Sequence, residues 1–342
     1  MRAVGYQKSL PIDEDEALVD IEVDDPEPFG RDLLVAVKAI SVNPVDTKVR
    51  RHAAPEVGAW KILGFDAAGI VVATGPDASL FKPGDAVFYA GAIGRQGTNA
   101  ELHVVDERLV GRKPASLSFA EAAALPLTSI TAFEALFDRL RAKEPVTGEA
   151  PAILIIGGAG GVGSIAVQLA RKLTGLTVIA TASRPETRAF ALELGAHHVV
   201  DHRKPIAAEV AALGLGAPPF VFSTTNTEAH LAEIVQLIAP QGRFCLIDDP
   251  AAIDVNPFKS KSVSIHWESM FTRSTFATPD MAAQGALLNE VSRLVDQGAL
   301  RTTLAETFGA INAKNLKRAH KLLESGSSRG KIVLEGFGEA AS

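Results

Sequence analysis

The chain has 342 residues, 47% of them hydrophobic and 22% charged, with Lys plus Arg at 34 against Asp plus Glu at 40 and a formal net charge of −6. A length near twice a typical domain of about 150 residues predicts two domains with a sizeable core, and the near-average composition excludes a disordered, collagenous or fibrous chain. The acidic balance argues against a nucleic-acid or anionic-membrane partner, while a lone cysteine, Cys245, excludes a disulfide framework and a cysteine-rich zinc lobe and fits a reducing compartment.

Asp13, Glu14, Asp15 and Glu16 stand where a secretory signal needs its apolar stretch, so no export signal is expected and a cytoplasmic location is. To about residue 120, short apolar runs alternate with turns. Leu33–Val37, Ile70–Val72 and Ala86–Tyr89 read as strands, and Gly30, Gly75-Pro76 and Pro83-Gly84-Asp85 as the turns between them. This pattern predicts a β-rich first domain. Leu117-Ser118-Phe119-Ala120-Glu121 then opens a helix, with Ser118 as N-cap and Glu121 at the capping-box position.

The rhythm next becomes strand, helix, strand. Ile153–Ile156 is followed by Val162, Ile165, Ala166, Leu169, Ala170 and Leu173 on one helical face. Segment 150–170 is uncharged and long enough to cross a bilayer, but Gly157, Gly158, Gly160, Gly161 and Gly163 crowd its middle, which reads as strand, turn and helix. Thr177–Ala180, His198–Val200, Phe220–Phe222, Arg243–Ile247 and Val263–Trp267 read as further strands, with helices over 185–194, 206–213 and 228–239. Repeated βα units predict a parallel doubly wound sheet with right-handed crossovers. Helices over 281–297 and 312–323 and strands over 304–308 and 331–334 are expected to return to the first domain.

Gly158-Ala159-Gly160-Gly161-Val162-Gly163 satisfies G-x-G-x-x-G between a buried strand and an amphipathic helix, which predicts a dinucleotide site. The first glycine permits the tight turn, the second admits a pyrophosphate to the backbone, and the third lets helix and strand pack. Free N–H groups at the helix start face the anion. An acid at the end of the second strand would select NAD, but Thr181-Ala182-Ser183-Arg184 stands there, with no carboxylate until Glu186. Ser183 and Arg184 suit the 2′-phosphate of NADPH, a charge-assisted bond of this kind contributing about 1.5–3 kcal/mol. His202, after the third strand, is a further candidate for that phosphate.

A series of motifs in fixed order carries a family resemblance: Asn43-Pro44-Val45-Asp46-Thr47-Lys48, Gly64-Phe65-Asp66-Ala67-Ala68-Gly69, Lys82-Pro83-Gly84-Asp85-Ala86-Val87, Ala122–Thr128, Thr131-Ala132-Phe133, the glycine turn, and Arg329-Gly330-Lys331-Ile332-Val333-Leu334. With them the chain, over essentially its whole length, resembles the medium-chain dehydrogenase/reductase superfamily. The likeness is to its quinone oxidoreductase and enone-reductase branch and to bacterial members labelled zinc-type alcohol dehydrogenase-like. The resemblance implies a GroES-like β-rich barrel domain over 1–123 and 271–342, a Rossmann NADPH-binding domain with a six-stranded parallel sheet over 124–270, and a small-molecule substrate in the cleft between them. It also implies a homodimer through the edge strand 262–268, whose Val263, Ile265 and Trp267 suit such a contact.

Zinc alcohol dehydrogenases of this superfamily carry a cysteine where Asn43 stands, a histidine where Phe65 stands, and a later cysteine that is missing here. An amide, a benzyl ring and an absent thiolate make no tetrahedral N/S site, and the 8 histidines show neither H-x-x-x-H nor H-E-x-x-H spacing. No metal is therefore expected, and reduction of a conjugated enone or quinone is the less demanding chemistry without a Lewis acid. A hydrogen-bond donor beside the oxygen that takes up charge lowers the barrier by about 3–4 kcal/mol. Lys48 is the first candidate, by likeness to the Asn-Pro-Val-Asp-x-Lys segment of plant-type alkenal reductases. The resemblance places Asn43 on the nicotinamide ribose, and Asp46 is a weaker catalytic candidate that also suits a turn. It further places Thr128 and Thr131 at nicotinamide and phosphate contacts, Asp248 at the border of the nicotinamide pocket, and Lys331 toward the pyrophosphate. Two alternatives stay open: a zinc alcohol dehydrogenase with unusual ligands, and an NADPH-binding protein without turnover.

Overall fold

The computed structural model describes residues 1–338. The chain divides into two units, one of Met1–Ile130 with the chain from Phe271 onward, the other of Thr131–Met270. The first unit opens with β1 (Arg2–Tyr6), β2 (Val19–Glu22), β3 (Asp32–Val42), α1 (Pro44–His52) and β4 (Lys61–Ile62). There follow β5 (Ala67–Thr74), β6 (Ala86–Tyr89), β7 (Leu102–Asp106), β8 (Val110–Arg112), α2 (Phe119–Ala123) and α3 (Pro126–Phe133). The second unit holds β9 (Ala152–Ile156), α4 (Gly161–Leu173), β10 (Thr177–Thr181), α5 (Pro185–Glu193) and β11 (His198–Val200). It continues through α6 (Ile206–Ala211), β12 (Phe220–Ser223), α7 (Thr227–Leu237), β13 (Arg243–Leu246) and β14 (Ser264–Trp267). The return segment is α8 (Thr272–Thr275), α9 (Ala283–Asp296), β15 (Leu304–Thr307), α10 (Ala313–Glu324) and β16 (Lys331–Glu335).

In the first unit β3 is the organising strand. It pairs antiparallel with β5, β7 and β16, and its buried Leu33, Val35, Val37, Ala39 and Ile40 face the core. Register shifts at Leu34/Val35 and Val37/Ala39 against β5 bend it. Its first half therefore serves β7 and its last four residues serve β16, with Ile332 opposite Val42. That register sets Lys331 beside Asn43, the residue that caps α1. Ser118 caps α2 with the capping box to Glu121, as its spacing predicts. Outside the sequence expectation lie α1, β7, β8, α8 and the small sheet in which β1 lies between β2 and β4.

The second unit carries six parallel strands in the order β11-β10-β9-β12-β13-β14. Strand β9 is buried along its whole length, which is why its sequence is continuously apolar instead of alternating. Its Leu154 and Ile156 pack with Ile179, Val221, Phe244 and Leu246, and with Ile206, Val210, Ile234 and Phe258 from the crossovers. Successive βα units lead outward from β9 in both directions, so β9 marks the switch point at whose carboxyl end ligands bind in such sheets. No helix among the described residues is long and apolar enough to cross a membrane.

Candidate functional site

The turn after β9 is fastened to the end of β10. The Gly157 N–H donates to Thr181 Oγ1 at 3.0 Å and the Gly158 N–H to the Thr181 carbonyl at 3.1 Å. The left-handed residue of the turn is Gly157, at φ +81°, one position before the predicted motif. Gly158 is needed instead for close packing, since a Cβ there would lie 2.6 Å from that of Ala180. A Cβ on Gly163 would overlap the Gly157 carbonyl oxygen, so this glycine brings α4 onto the turn. A Cβ on Gly160 would meet only that same oxygen, at 3.4 Å, so the flank of the turn at Gly160 is open. Gly160 is the N-cap of α4, and Gly161, Val162 and Gly163 form its first turn, where N–H groups have no i−4 carbonyl to serve. This open cradle of amide donors fits a pyrophosphate.

Ser183 follows the end of β10, and its carbonyl accepts from Arg203 Nη2 at 2.9 Å. Arg203 also grips Asp201 through two parallel bonds, Nε–Oδ1 at 3.1 Å and Nη2–Oδ2 at 2.7 Å, which holds the Asp201 carboxyl well below the usual carboxylate range. Arg184 pairs with Glu186 at 3.0 Å on the surface. His202 Nδ1 lies 3.2 Å from Thr181 Oγ1. Burial lowers its pKa, Asp201 opposes that, and Arg203 and Arg184 add to it, which favours the neutral ring and sets both guanidiniums within its field. Arg203 thus joins Ser183 from a distant segment, in addition to Arg184 next in the chain. The basic run His202-Arg203-Lys204 is the signal that could have found Arg203.

In the first unit Asn43, Asp46, Asp66 and Lys331 form a buried polar cluster. Lys331 Nζ donates to the Val42 carbonyl at 3.0 Å, to Asp66 Oδ2 at 2.9 Å and to Asn43 Oδ1. This corrects the expectation that Lys331 faces a pyrophosphate: the register of β16 on β3 turns it inward, and all three ammonium donors are taken. Asn43 is corrected with it. Its Nδ2 donates to Asp66 Oδ2 at 2.8 Å while its Oδ1 accepts from Lys331, so the carboxamide is committed at both ends.

Asp46 accepts from the Asn43 N–H at 2.8 Å and the Gly64 N–H at 3.0 Å, which makes it a brace at the start of α1. Burial pushes its carboxyl up to about 7, against the Asn43 N–H and Lys331 and with the help of Asp66. Asp66 accepts from the Leu127 N–H of α3 at 2.7 Å, and burial raises its carboxyl against the pull of Lys331. Sequence reasoning passed over Asp66, although it stands next to Phe65 in a recognised motif. Phe65 is buried edge-on against Phe271, ring centroids 5.3 Å apart. Among the described residues no group of three or more His, Cys, Asp or Glu could hold a metal ion. Zinc therefore does not fit: the position has no thiolate or imidazole, and an ammonium stands on its oxygens.

Lys48 lies partly exposed on α1, and Thr128 and Thr131 are buried on α3, Thr128 Oγ1 donating to the Leu125 carbonyl at 3.2 Å. The Asp248 carboxylate caps α7, accepting the Thr227 N–H at 2.8 Å and the Thr227 hydroxyl. Cys245 is buried in β13, and burial raises its thiol.

Residues 30–130 match the alcohol dehydrogenase GroES-like domain family and residues 194–334 the zinc-binding dehydrogenase family. The chain is 40% identical over 339 residues to a zinc-type alcohol dehydrogenase-like protein of Staphylococcus aureus, covering 98% of this chain and 99% of that protein. It is 29% identical to the quinone oxidoreductase of Lama guanicoe, covering 90% of each. A Rhizobium etli crystal structure, of a protein named as a zinc-dependent alcohol dehydrogenase, superposes with a TM-score of 0.97 at 69% identity, covering 99% of this chain and 98% of that one.

Proposed function

The chain belongs to the medium-chain dehydrogenase/reductase superfamily of nicotinamide-dependent oxidoreductases, and on that premise we propose that it uses NADPH to reduce quinones or α,β-unsaturated carbonyls without a catalytic metal. The observation that carries the coenzyme choice is the Arg203 guanidinium bonded to the Ser183 carbonyl, with Arg184 next in the chain, where an NAD-selecting site would present a free acid. The name of the llama relative supports a quinone as acceptor. The zinc in the names of the staphylococcal and rhizobial relatives has no counterpart in the amide, benzyl and ammonium groups present here.

Bound NADPH supplies a hydride to an electron-poor carbon. The chain's own part is to bind and to place a proton. The first-turn amides of α4 would hold the pyrophosphate, and Ser183, Arg184 and Arg203 the 2′-phosphate. Lys48 is the proposed donor to the substrate oxygen on which negative charge develops, so that one hydride and one proton together give the hydroquinone, or from an enone the enol that tautomerises to the saturated carbonyl.

The test is NADPH consumption at 340 nm over a panel of quinones, alkenals and alkenones, with NADH and chelator-treated protein in parallel. Turnover that survives chelation and favours NADPH more than about tenfold is expected. Activity that follows added zinc, or binding of NADPH with no acceptor across the panel, would replace the proposal with one of its two alternatives.

A further inference from the structure

We propose that Lys331 is a built-in cation with the structural part of a bound metal ion: its ammonium holds Asn43 and Asp66 together and through them fixes the first turns of α1 and α3. Its three N–H bonds go to three oxygens inside the first unit, and the side chain is only 3% exposed. From Asp66 the chain of bonds runs to the Leu127 N–H in α3, and from Asn43 to Asp46 at the start of α1. The charged groups facing Asp66 are Asp46 from α1 and Lys331 from β16, while α3 presents only an N–H. Lys331 is a cation that lowers both buried carboxyls, and its loss would leave a buried charge uncompensated.

The same geometry disfavours a metal in the native protein. The two oxygens that could ligate one, Asn43 Oδ1 and Asp66 Oδ2, already accept from the ammonium, and a divalent ion there would sit in contact with a positive charge. Shortening Lys331 to alanine removes three methylenes and the ammonium, and leaves a vacancy whose chemistry suits n-propylammonium. Lys331 is a positioning residue, acting through Asn43 and Asp66, and this role does not depend on which coenzyme the protein uses.

The experiment measures the thermal midpoint of the full chain carrying Lys331→Met, Lys331→Ala, or Lys331→Met with Asp66→Asn, across pH. At about pH 8 Lys331→Met should lower the midpoint by about 5 °C or more. Burial already raises the Asp66 carboxyl against the pull of Lys331, and without that cation it rises further above its unfolded value, so the variant's stability is present at acid pH and lost more steeply than the wild type's as pH rises. Much of the deficit should accordingly vanish near pH 5, a response that packing loss alone does not produce. The double variant, with Asp46 as the one carboxyl of the pair left facing the lost cation, should be more stable than Lys331→Met at about pH 8 and flatter with pH. Millimolar n-propylammonium chloride should raise the midpoint of Lys331→Ala and not of the wild type, where sodium chloride does neither.

A wild-type midpoint for Lys331→Met at about pH 8 would overturn the proposal. So would stoichiometric zinc in the wild-type protein whose removal lowers the midpoint. If the single variants do not fold, a folded double variant supports the proposal and an unfolded one defeats it. NADPH turnover enters none of these readings, so failure of the coenzyme proposal leaves them intact.

Discussion

At the scale of single residues, Arg184 and Arg203 differ in what already holds them. Arg203 is oriented by Asp201 and the Ser183 carbonyl, whereas Arg184 makes an exposed ion pair with Glu186, of a kind worth about 0–1 kcal/mol. A surface pair of that kind is weaker than a charge-assisted bond to a 2′-phosphate, which contributes about 1.5–3 kcal/mol. Arg184→Ala should raise the Kd for NADPH about tenfold and leave that for NADH nearly unchanged, measured by coenzyme fluorescence titration. Equal losses for both coenzymes would take Arg184 off the phosphate. Lys48→Ala should lower kcat about a hundredfold with the NADPH Kd unaltered, which separates a donor from a coenzyme contact. Local residues of this kind are legible because their roles follow from neighbours in the chain. Lys331 and Asp66 were not, because the partners of each come from distant segments, Val42 and Asn43 for Lys331 and Leu127 for Asp66, and no local pattern encodes that meeting.

At the scale of elements, the glycine turn separates folding from binding. Gly163 faces a backbone carbonyl that cannot move aside, so Gly163→Ala should yield little folded protein. Gly160 faces open space, and its Cβ contact of 3.4 Å is ordinary. Gly160→Ala should keep the thermal midpoint within about 2 °C of wild type, yet weaken NADPH binding at least tenfold by standing where the pyrophosphate approaches. Wild-type affinity in a folded Gly160→Ala protein would move the coenzyme off this turn. The motif told the position of the turn but misassigned its first glycine. Tight turning falls to Gly157 because the chain must reverse before, and not within, the segment that packs on β10. Helix α1 escaped notice for a related reason: its apolar residues are few, and its stability comes from Asp46 and Asn43 at its start.

At the scale of the whole molecule, the parallel doubly wound sheet was readable because apolar strands alternate with helices and crossovers have one hand; its strand order, in which the chain returns from β11 past β10 and β9 to β12 and ends on β14, was not. The sheet of β1, β2 and β4 was not, since strands of two to five residues carry too few alternations to register. The order of the parallel sheet leaves β14 at an edge, paired with β13 alone among the described residues. Trp267 on that edge is 57% exposed, a large apolar surface beside unpaired backbone groups. Such an edge invites another strand, and a second copy of the same edge meets it across a two-fold axis without steric novelty. We therefore propose a homodimer through Ser264–Trp267. Light scattering behind size exclusion should give twice the chain mass, and Trp267→Glu with Ser264→Lys, which sets charges on the edge, should bring it to one chain mass at micromolar concentration. The thermal midpoint of that variant should then fall to a plateau independent of concentration, whereas the wild type, stabilised by association, should melt higher as concentration rises. A native chain that elutes at single mass, with a midpoint indifferent to concentration, would leave β14 as a solvent-facing edge and place the reason for Trp267 elsewhere.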